Sequence, residues 1–554
     1  MEISFDFVSN CLNKSEGWFL HQGSYVRGYA YYGNKLIRNA ELINALRNSL
    51  YDDKIVDVLR SLNGNFAAII NDNQRIILVV DKVRSIPILY TLKNQRITVS
   101  DSGILNNGML KHFSANKLVQ KEMASLGYIS GYQTIVSDIF HVPAGHFVQI
   151  DKNRSVRMEK YHSYSQPKMM INADEFIYES HRIIRKSFDR IIGSLGDYSK
   201  IVIPLSGGYD SRLIACLCKE AGIKDVLCFT YGRKDSFEVR ISKQVADQLG
   251  YEWHFVEYTE EVWKHCLESD EFKAFFEYAG NFTSCPHVQD FPALMYLKEY
   301  HLIDDGSVII PGHSGDLLGG SKIPVEIMER HRNLFYKGTI KYRKEDLVNL
   351  IYNHFYDLNK LDNASISEIK KKISDVLCIE DRWYKEDEFL DIYECEWFNR
   401  ARTGNFIVNS LRAYDYYNIR WRLPLWDEEF VNKWYSIPWK MKYYKKLYSR
   451  FLFDEYFKKY KVDIYKKEHT CFDSFKDVVK WILPEIIKIQ IRRKNKDNTQ
   501  PLKSPHFNSF EFVIEHMREK ISKDQFPYIT NYNQGNVNGF IALNYINLIN
   551  SKLG

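Results

Sequence analysis

The 554 residues carry 76 Lys and Arg against 70 Asp and Glu, a net charge of +6, too slight an excess over that length for a dedicated polyanion binder. With 45% hydrophobic and 26% charged residues, wholesale disorder is also excluded. Length alone suggests about three or four folding units at roughly 150 residues each, enough to bury cores without disulfide staples.

The start, Met1 to Asp6, lacks a basic segment followed by an apolar run, and no later stretch reaches about 18 uncharged apolar residues. The nine cysteines (Cys11, Cys216, Cys218, Cys228, Cys266, Cys285, Cys378, Cys395, Cys471) include no C-x-x-C pair. Zinc ribbons and redox dithiols lose support, and scattered free thiols fit a reducing compartment. The expectation is a cytoplasmic protein with no membrane span.

Residues 1 to about 165 read as β-rich. The runs Ser24 to Tyr31, Asn65 to Ile70 and Arg75 to Val80 have strand patterning, and the break at Asn71-Asp72-Asn73 predicts a hairpin turn. Loop composition follows from His162 to Pro167, and a helical pattern begins near Ala173. From there the order becomes helix, strand, Gly-rich turn, helix, strand. Lys200 to Leu205, Val226 to Thr230 and Ser307 to Ile310 read as strands, with helices over Arg212 to Ala221 and Ser236 to Leu249. Such alternation predicts a parallel sheet covered by helices, with ligands at the carboxyl ends of its strands. Residues 325 to 460 have helical periodicity, and 461 to 554 read as a helical extension whose basic cluster Arg492-Arg493-Lys494 is a solvated face.

The sharpest local signal is Ser206-Gly207-Gly208-Tyr209-Asp210-Ser211, between a buried strand and a helix. Two glycines let the backbone turn tightly and approach an anion. Ser206 and Ser211 add hydroxyl donors, and the helix start presents unpaired N–H groups. The loop is neither a Walker loop nor a dinucleotide fingerprint, and it reads as a different phosphate cradle.

These residues resemble the pyrophosphate loop S-G-G-x-D-S of the asparagine synthetase superfamily. Further matches follow in chain order: Phe229-Thr230-Tyr231-Gly232 with Ala246 to Gly250, then Pro311-Gly312-His313-Ser314-Gly315-Asp316-Leu317-Leu318-Gly319-Gly320. Arg422 to Asp427 is similar to the later R-x-P-F-L-D, and Lys446 to Arg450 to K-x-x-x-R. Leu62 to Ala67, Asp81 to Tyr90 and Val142 to His146 resemble the glutaminase-type domain that precedes the synthetase domain in glutamine-using members. The implied fold is α/β and α+β. An antiparallel sandwich like that of N-terminal-nucleophile hydrolases spans 1–165. A doubly wound ATP pyrophosphatase domain spans 173–460, with a helical extension over 461–554.

The resemblance implies an ATP-dependent, AMP-forming carbon–nitrogen ligase. Its phosphates lie over 206 to 211, and Mg²⁺ is bridged by Asp210 and Asp316. The nucleotide is held by Leu205, Ser206, Gly207, Gly208, Asp210, Ser211, Tyr231, Pro311 and Gly312. Lys446 is implied as the lysine that faces the developing negative charge.

Departures reshape that expectation. Glutamine-using members expose a cysteine at position 2 as nucleophile, but this chain has Glu2, and Cys11 is not terminal. The first domain is therefore expected to keep its fold without glutaminase activity, leaving ammonia or an amine as nitrogen donor. Glutamate in asparagine synthetases, or tyrosine in β-lactam-forming members, is replaced by His313, an imidazole able to deprotonate an attacking amine. Leu317 and Arg420 replace family acids, which argues against aspartate as substrate. Glu394 and Glu396 are candidate partners of His313, or a solvated helix face.

The acceptor is expected to be a small-molecule, sugar-acid or peptide carboxylate, with no nucleic-acid partner, and the oligomeric state is open. A true asparagine synthetase using ammonia, and a catalytically silent ATP-binding homologue, remain the alternatives.

Overall fold

The computed structural model describes residues 2–7, 16–93, 96–103, 109–332, 340–464 and 509–554. In the amino-terminal part a seven-stranded antiparallel sheet has the order Val156–Lys160, His146–Asp151, Arg75–Val80, Leu62–Asn71, Ser24–Tyr32, Phe19–His21, with Lys35–Arg38 also on Ser24–Tyr32. Leu62–Asn71 and Arg75–Val80 pair as the expected hairpin, whose turn has Asn73 at φ +68°. Their alternate residues serve two cores. Ala68, Ile70, Ile77 and Val79 face the helix Asn39–Tyr51, while Ala67, Ile69, Ile76 and Leu78 pack in the core shared with Ile88, Ile97 and Val99. Burial on both faces explains why these strands read as apolar runs without polar alternation. A second sheet, in the order Glu2–Asp6, Arg96–Ser100, Leu89–Thr91, Phe140–His141, is antiparallel except for its first pair, which is parallel.

The helix Ala173–Gly193 starts where the sequence pattern put it, with the Asn172 side chain accepting from Asp174 N–H. Beyond it lies a five-stranded parallel sheet in the order Glu252–Glu257, Val226–Gly232, Ile201–Pro204, Val308–Ile309, Arg420–Trp421. By chain appearance this is the order 3-2-1-4-5, so the direction of winding reverses between Ile201–Pro204 and Val308–Ile309. Loops leaving two strands on either side of such a reversal diverge to opposite faces and open a crevice at their carboxyl ends. The loops that leave these two strands are 205–208 and 310–314.

The carboxy-terminal region is more than an appended helical tail. Ile529–Tyr532 is a strand paired with Asn359–Leu361, and Val537–Asn550 is a helix apolar around most of its circumference. A helix apolar on all sides must be covered on all sides. It lies against Lys117–Leu126, where Gln120 Nε2 donates to Asn550 Oδ1 at 2.7 Å, and Tyr545 OH accepts from Phe282 N–H at 3.1 Å. The basic cluster at 492–494, Cys11 and Cys471 lie outside the described residues.

Buried ion pairs lock the two sheet systems together. Arg27, on the strand Ser24–Tyr32, reaches Asp415 at 2.9 Å, and Asp415 also takes Arg412 at 2.7 Å and the Trp421 indole N–H at 3.0 Å. Side-chain exposure is 3% for Arg27, 2% for Arg412 and 1% for Asp415. Arg27 keeps only the more distant Asp101, at 3.9 Å, when Asp415 is removed, and the Arg412 guanidinium loses its close carboxylate in a desolvated setting. The variant Asp415→Asn is therefore expected to lose about 3–5 kcal/mol of stability, read as a large drop in chemical-denaturation midpoint.

Candidate functional site

The crevice at the winding reversal is a cavity of about 470 Å³. Its floor is the Gly-rich loop. Leu205 leaves the strand with both backbone groups used, its N–H donating to Phe229 O and its C=O accepting from Thr230 Oγ1. Leu205 is buried and does not line the cavity, so it fixes where the loop begins. Ser206, Gly207, Gly208, Asp210 and Ser211 do line it. The helix after the loop begins at Tyr209, three residues before the Arg212 that the sequence pattern suggested, because Gly208 serves as an extended cap. The loop is internally satisfied. Ser206 N–H donates to Ser211 Oγ at 3.1 Å, Gly208 N–H to Ser206 Oγ at 3.1 Å, and Gly207 N–H to Glu238 Oε2 at 2.7 Å. Arg212 closes its back by donating to Gly207 O and to the carbonyls of Val462 and Ile464.

The second wall, Pro311 to Asp316, meets the first at van der Waals limits. A Cβ on Gly312 would fall 2.3 Å from Ser211 N and 2.6 Å from Asp210 C, and one on Gly315 would fall 2.2 Å from Tyr448 Oη. Such contacts admit glycine alone, and they draw the two acids together. Asp316 N–H donates to Asp210 Oδ2 at 2.8 Å, and Tyr448 OH donates to Asp210 Oδ1 at 2.8 Å. Burial first, then the neighbouring Asp316 charge, pushes the Asp210 carboxyl up to about 7. Two acids beside the Gly-rich loop are a hard oxygen donor set that a divalent cation would neutralise. The residues therefore fit Mg²⁺, with other coordination positions left to phosphate and water. Among the described residues no cluster of three or more His, Cys, Asp or Glu supplies a complete metal cage.

His313 and His287 both line the cavity. Burial pushes each imidazole down to about 4, so both are neutral at physiological pH. Among the described residues, His313 Nδ1 and His287 Nε2 are buried without a hydrogen-bond partner. A base at about 4 is weaker than the unperturbed imidazole that the sequence suggested, and only negative charge in the cleft would restore its basicity. Neither expected acid reaches His313. Glu394 is buried 3.8 Å from Lys442, whose ammonium also lies over the Tyr435 ring, and Glu396 binds Lys160 at 3.1 Å and Arg400.

The cleft lysine is Lys445 and not Lys446. Lys446 is exposed and outside the cavity lining, whereas Lys445 lines it and its charge acts on Asp210. A backbone irregularity at Tyr443 to Lys445, with Lys445 at φ +58°, shifts which lysine faces inward. On the opposite side, Tyr231 OH donates to Asp290 Oδ1 at 2.6 Å, Tyr414 OH to Asp290 Oδ2 at 2.8 Å, and Gln289 Nε2 to Tyr231 Oη at 2.8 Å. Nothing in the sequence linked Asp290 to Tyr414. Only the fold brings them together.

Other motif residues do structural work away from the cleft. Arg422 binds Glu16 at 2.7 Å and lies over Tyr29, while Asp427 takes Arg190 at 2.6 Å and Asn63 Nδ2 at 3.0 Å. Arg450 pairs with Asp174 and Asp454 on the surface. Arg420 sits at the amino end of its strand and donates to the carbonyls of Leu195, Asp197 and Gly306, the end remote from the crevice. Leu317 is buried core. Neither lines the cavity. The seven cysteines among the described residues are unpaired, and six of them are buried.

A family model described as asparagine synthase matches residues 199–526. No curated protein sequence matches the chain. Among solved structures, the chain is similar to the NH₃-dependent NAD synthetase from Campylobacter jejuni, at 17% identity over 37% of this chain and 95% of that one, with a TM-score of 0.19. It is also similar to the U34-tRNA thiolase NcsA from Methanococcus maripaludis, at 17% identity over 44% and 78% with a TM-score of 0.19. The glutamine phosphoribosylpyrophosphate amidotransferase from B. subtilis matches at 12% identity over 54% and 58%, with a TM-score of 0.16.

The histidine shifts have a pH signature. A histidine held near 4 in the fold but near 6.5 when unfolded takes up a proton on unfolding, so its contribution to stability is complete above about 6.5 and is lost as pH falls toward 4. Asp210, raised to about 7, acts in the opposite sense over much of that range. His313→Gln is accordingly expected to show a shallower fall in thermal midpoint between pH 7 and pH 5 than the unaltered protein.

Proposed function

Because the chain belongs to the asparagine synthase family, we propose that it adenylates a substrate carboxylate with ATP and passes the acyl group to ammonia or an amine, releasing AMP and pyrophosphate. The proposal includes no glutamine hydrolysis. The observation that carries it is the meeting of Asp210 and Asp316 beside the Ser206 to Ser211 loop at the winding reversal of a parallel sheet. Carbon–nitrogen ligation driven by ATP is the family's chemistry. The acyl-adenylate route, the donor and the residue roles are this reading's own.

Ser206, Ser211 and the first N–H groups of the helix at Tyr209 would hold the phosphates, exchanging the loop's internal hydrogen bonds for bonds to phosphate oxygen. Tyr231, Pro311 and Gly312 would border the nucleoside, with the Asp290 cluster fixing the tyrosine rings. Asp210 and Asp316 would hold Mg²⁺, which when bound offsets phosphate charge. A substrate carboxylate attacks the α-phosphorus, and Lys445 faces the negative charge that develops on pyrophosphate, a placement comparable with an oxyanion-hole donor worth roughly 3 kcal/mol. The polyphosphate charge raises the His313 pKa from about 4 toward the operating range. There the ring accepts a proton from the attacking amine.

Glu2 begins the strand paired in parallel with Arg96–Ser100, and no thiol stands at that position. This supports an amino-terminal domain that serves as scaffold, with its fold retained. Among the described residues no helix is long and apolar enough to cross a membrane, and the unpaired cysteines support a reducing, cytoplasmic setting.

Carboxylate-dependent ATP–pyrophosphate exchange is the test. Exchange should require a carboxylate, proceed without glutamine, and fall by 10²-fold or more in Asp316→Asn. His313→Gln should retain exchange while slowing amide formation at least tenfold. Glutamate release from glutamine, or exchange undiminished in Asp316→Asn, would contradict the reading.

A further inference from the structure

The segment 287–290 brings two acceptors into the cleft, Asp290 and His287. It is tied down on one side by Cys285 N–H, which donates to Gly127 O at 2.8 Å, and on the other by the helix Phe291–Glu299. Asp290 stands at the N-cap of that helix, where a carboxylate ordinarily accepts from a backbone N–H of the first turn. Its side chain makes no such bond. Its oxygens go to cleft tyrosines instead, Oδ1 accepting from Tyr231 OH and Oδ2 from Tyr414 OH. Among the described residues no basic side chain lies within 4 Å of it, so the carboxylate faces the cleft with lone pairs to spare and no cation beside it.

His287 Nε2 is buried without a partner among the described residues. The ring has a backbone hydrogen bond with Phe406, whose own ring lies 4.3 Å away. That bond favours the protonated imidazole, so a ring N–H donates to the Phe406 carbonyl. With Nε2 unpartnered, the donor is Nδ1. A neutral imidazole that carries its proton on Nδ1 offers Nε2 as an acceptor alone. Neighbouring side chains add no free donor, because Gln289 Nε2 donates to Tyr231 Oη and Ser410 Oγ to Ile407 O at 2.7 Å.

Phosphate oxygens are acceptors too, and gain nothing from a carboxylate or a proton-free Nε2. This part of the cleft therefore discriminates against the group that the Ser206 to Ser211 loop is built to hold. A negative charge with two acceptors selects a cation that carries N–H donors. His287 also lies within electrostatic reach of Asp290 and of His313, the ring assigned to the amine proton.

We infer that Asp290 and His287 form the subsite of the nitrogen nucleophile, taken up as ammonium or a primary ammonium group that donates to the Asp290 carboxylate and to His287 Nε2. The inference rests on the ligase reading for what that nitrogen does next, but not for its binding.

The test uses methylammonium chloride as probe in the full-length protein with Mg²⁺ and an α,β-methylene ATP analogue, read by saturation-transfer NMR. The probe should bind and be displaced by ammonium chloride. Tetramethylammonium, of equal charge but without N–H, should neither bind nor displace it. Asp290→Asn and His287→Gln should each weaken the probe about tenfold or more, with thermal midpoints as the control for folding. In protein carrying ¹⁵N-histidine the probe should shift the Nε2 resonance of a ring protonated at Nδ1, an arm that needs no variant. Absence of binding or of that shift, equal binding of tetramethylammonium, or undiminished binding in either folded variant overturns the inference. So does a 3′-deoxy ATP analogue that loses affinity in the unaltered protein but not in Asp290→Asn, since the carboxylate would then serve the ribose. If methylammonium binds as stated but cleavable ATP yields no AMP, the subsite stands and the adenylation reading falls. AMP formation without methylammonium binding has the reverse meaning.

Discussion

The site depends on one close approach: the peptide joining Asp210 to Ser211 lies so near Gly312 that no side chain fits between them. Two loops from strands far apart in sequence are held at backbone contact by it. The Asp316 N–H can then reach the Asp210 carboxylate. The parallel sheet supplies this geometry, because its winding reverses between the strands that carry the two loops. Every further property of the cleft follows from that convergence, including the raised Asp210 carboxyl and the fit to a divalent cation.

Rigidity at the cleft is bought at a distance. The amino-terminal sheets contribute no residue to the cavity lining, yet Arg27, Asn63 and Glu16 each reach across to acids or arginines of the synthetase part. The residues matching R-x-P-F-L-D serve this junction. Arg422 and Asp427, matched to the family by sequence alone, have Glu16 and Arg190 as partners, and they fix the sheet edge on which the crevice is built. A domain with glutamate in place of the nucleophilic cysteine can remain indispensable on these grounds alone.

Much of the fold was legible because strand and helix periodicities change sharply near Ala173 and because each βα turn has its glycine or cap. The Gly-rich loop was legible for the same reason, since its chemistry is local. What escaped the sequence was long-range or set by small backbone departures. With Lys445 at φ +58°, it is Lys445 that joins the cavity lining, while Lys446, the residue that spacing to Arg450 singles out, lies outside it. Asp290 and Tyr414 lie 124 residues apart. The parallel pairing of Glu2–Asp6 with Arg96–Ser100 and the strand inside the carboxy-terminal extension depend on partners that no local pattern names. Burial of His313 is likewise a property of the assembled cleft, and it pushes the imidazole down to about 4.

The cleft brings together a carboxyl pushed up to about 7 beside another acid, two histidines with nitrogens unpartnered among the described residues, and a lysine at the rim. Mg·ATP would engage most of these at once, since cation meets acids and phosphates meet the loop, the lysine and His313. A crystal structure with Mg²⁺ and a non-cleavable ATP analogue tests this most directly. The account predicts a metal ion bound by both Asp210 and Asp316, with phosphate oxygens within hydrogen-bond reach of Ser206 and Ser211. A nucleotide bound elsewhere, or a metal that touches neither acid, would contradict it.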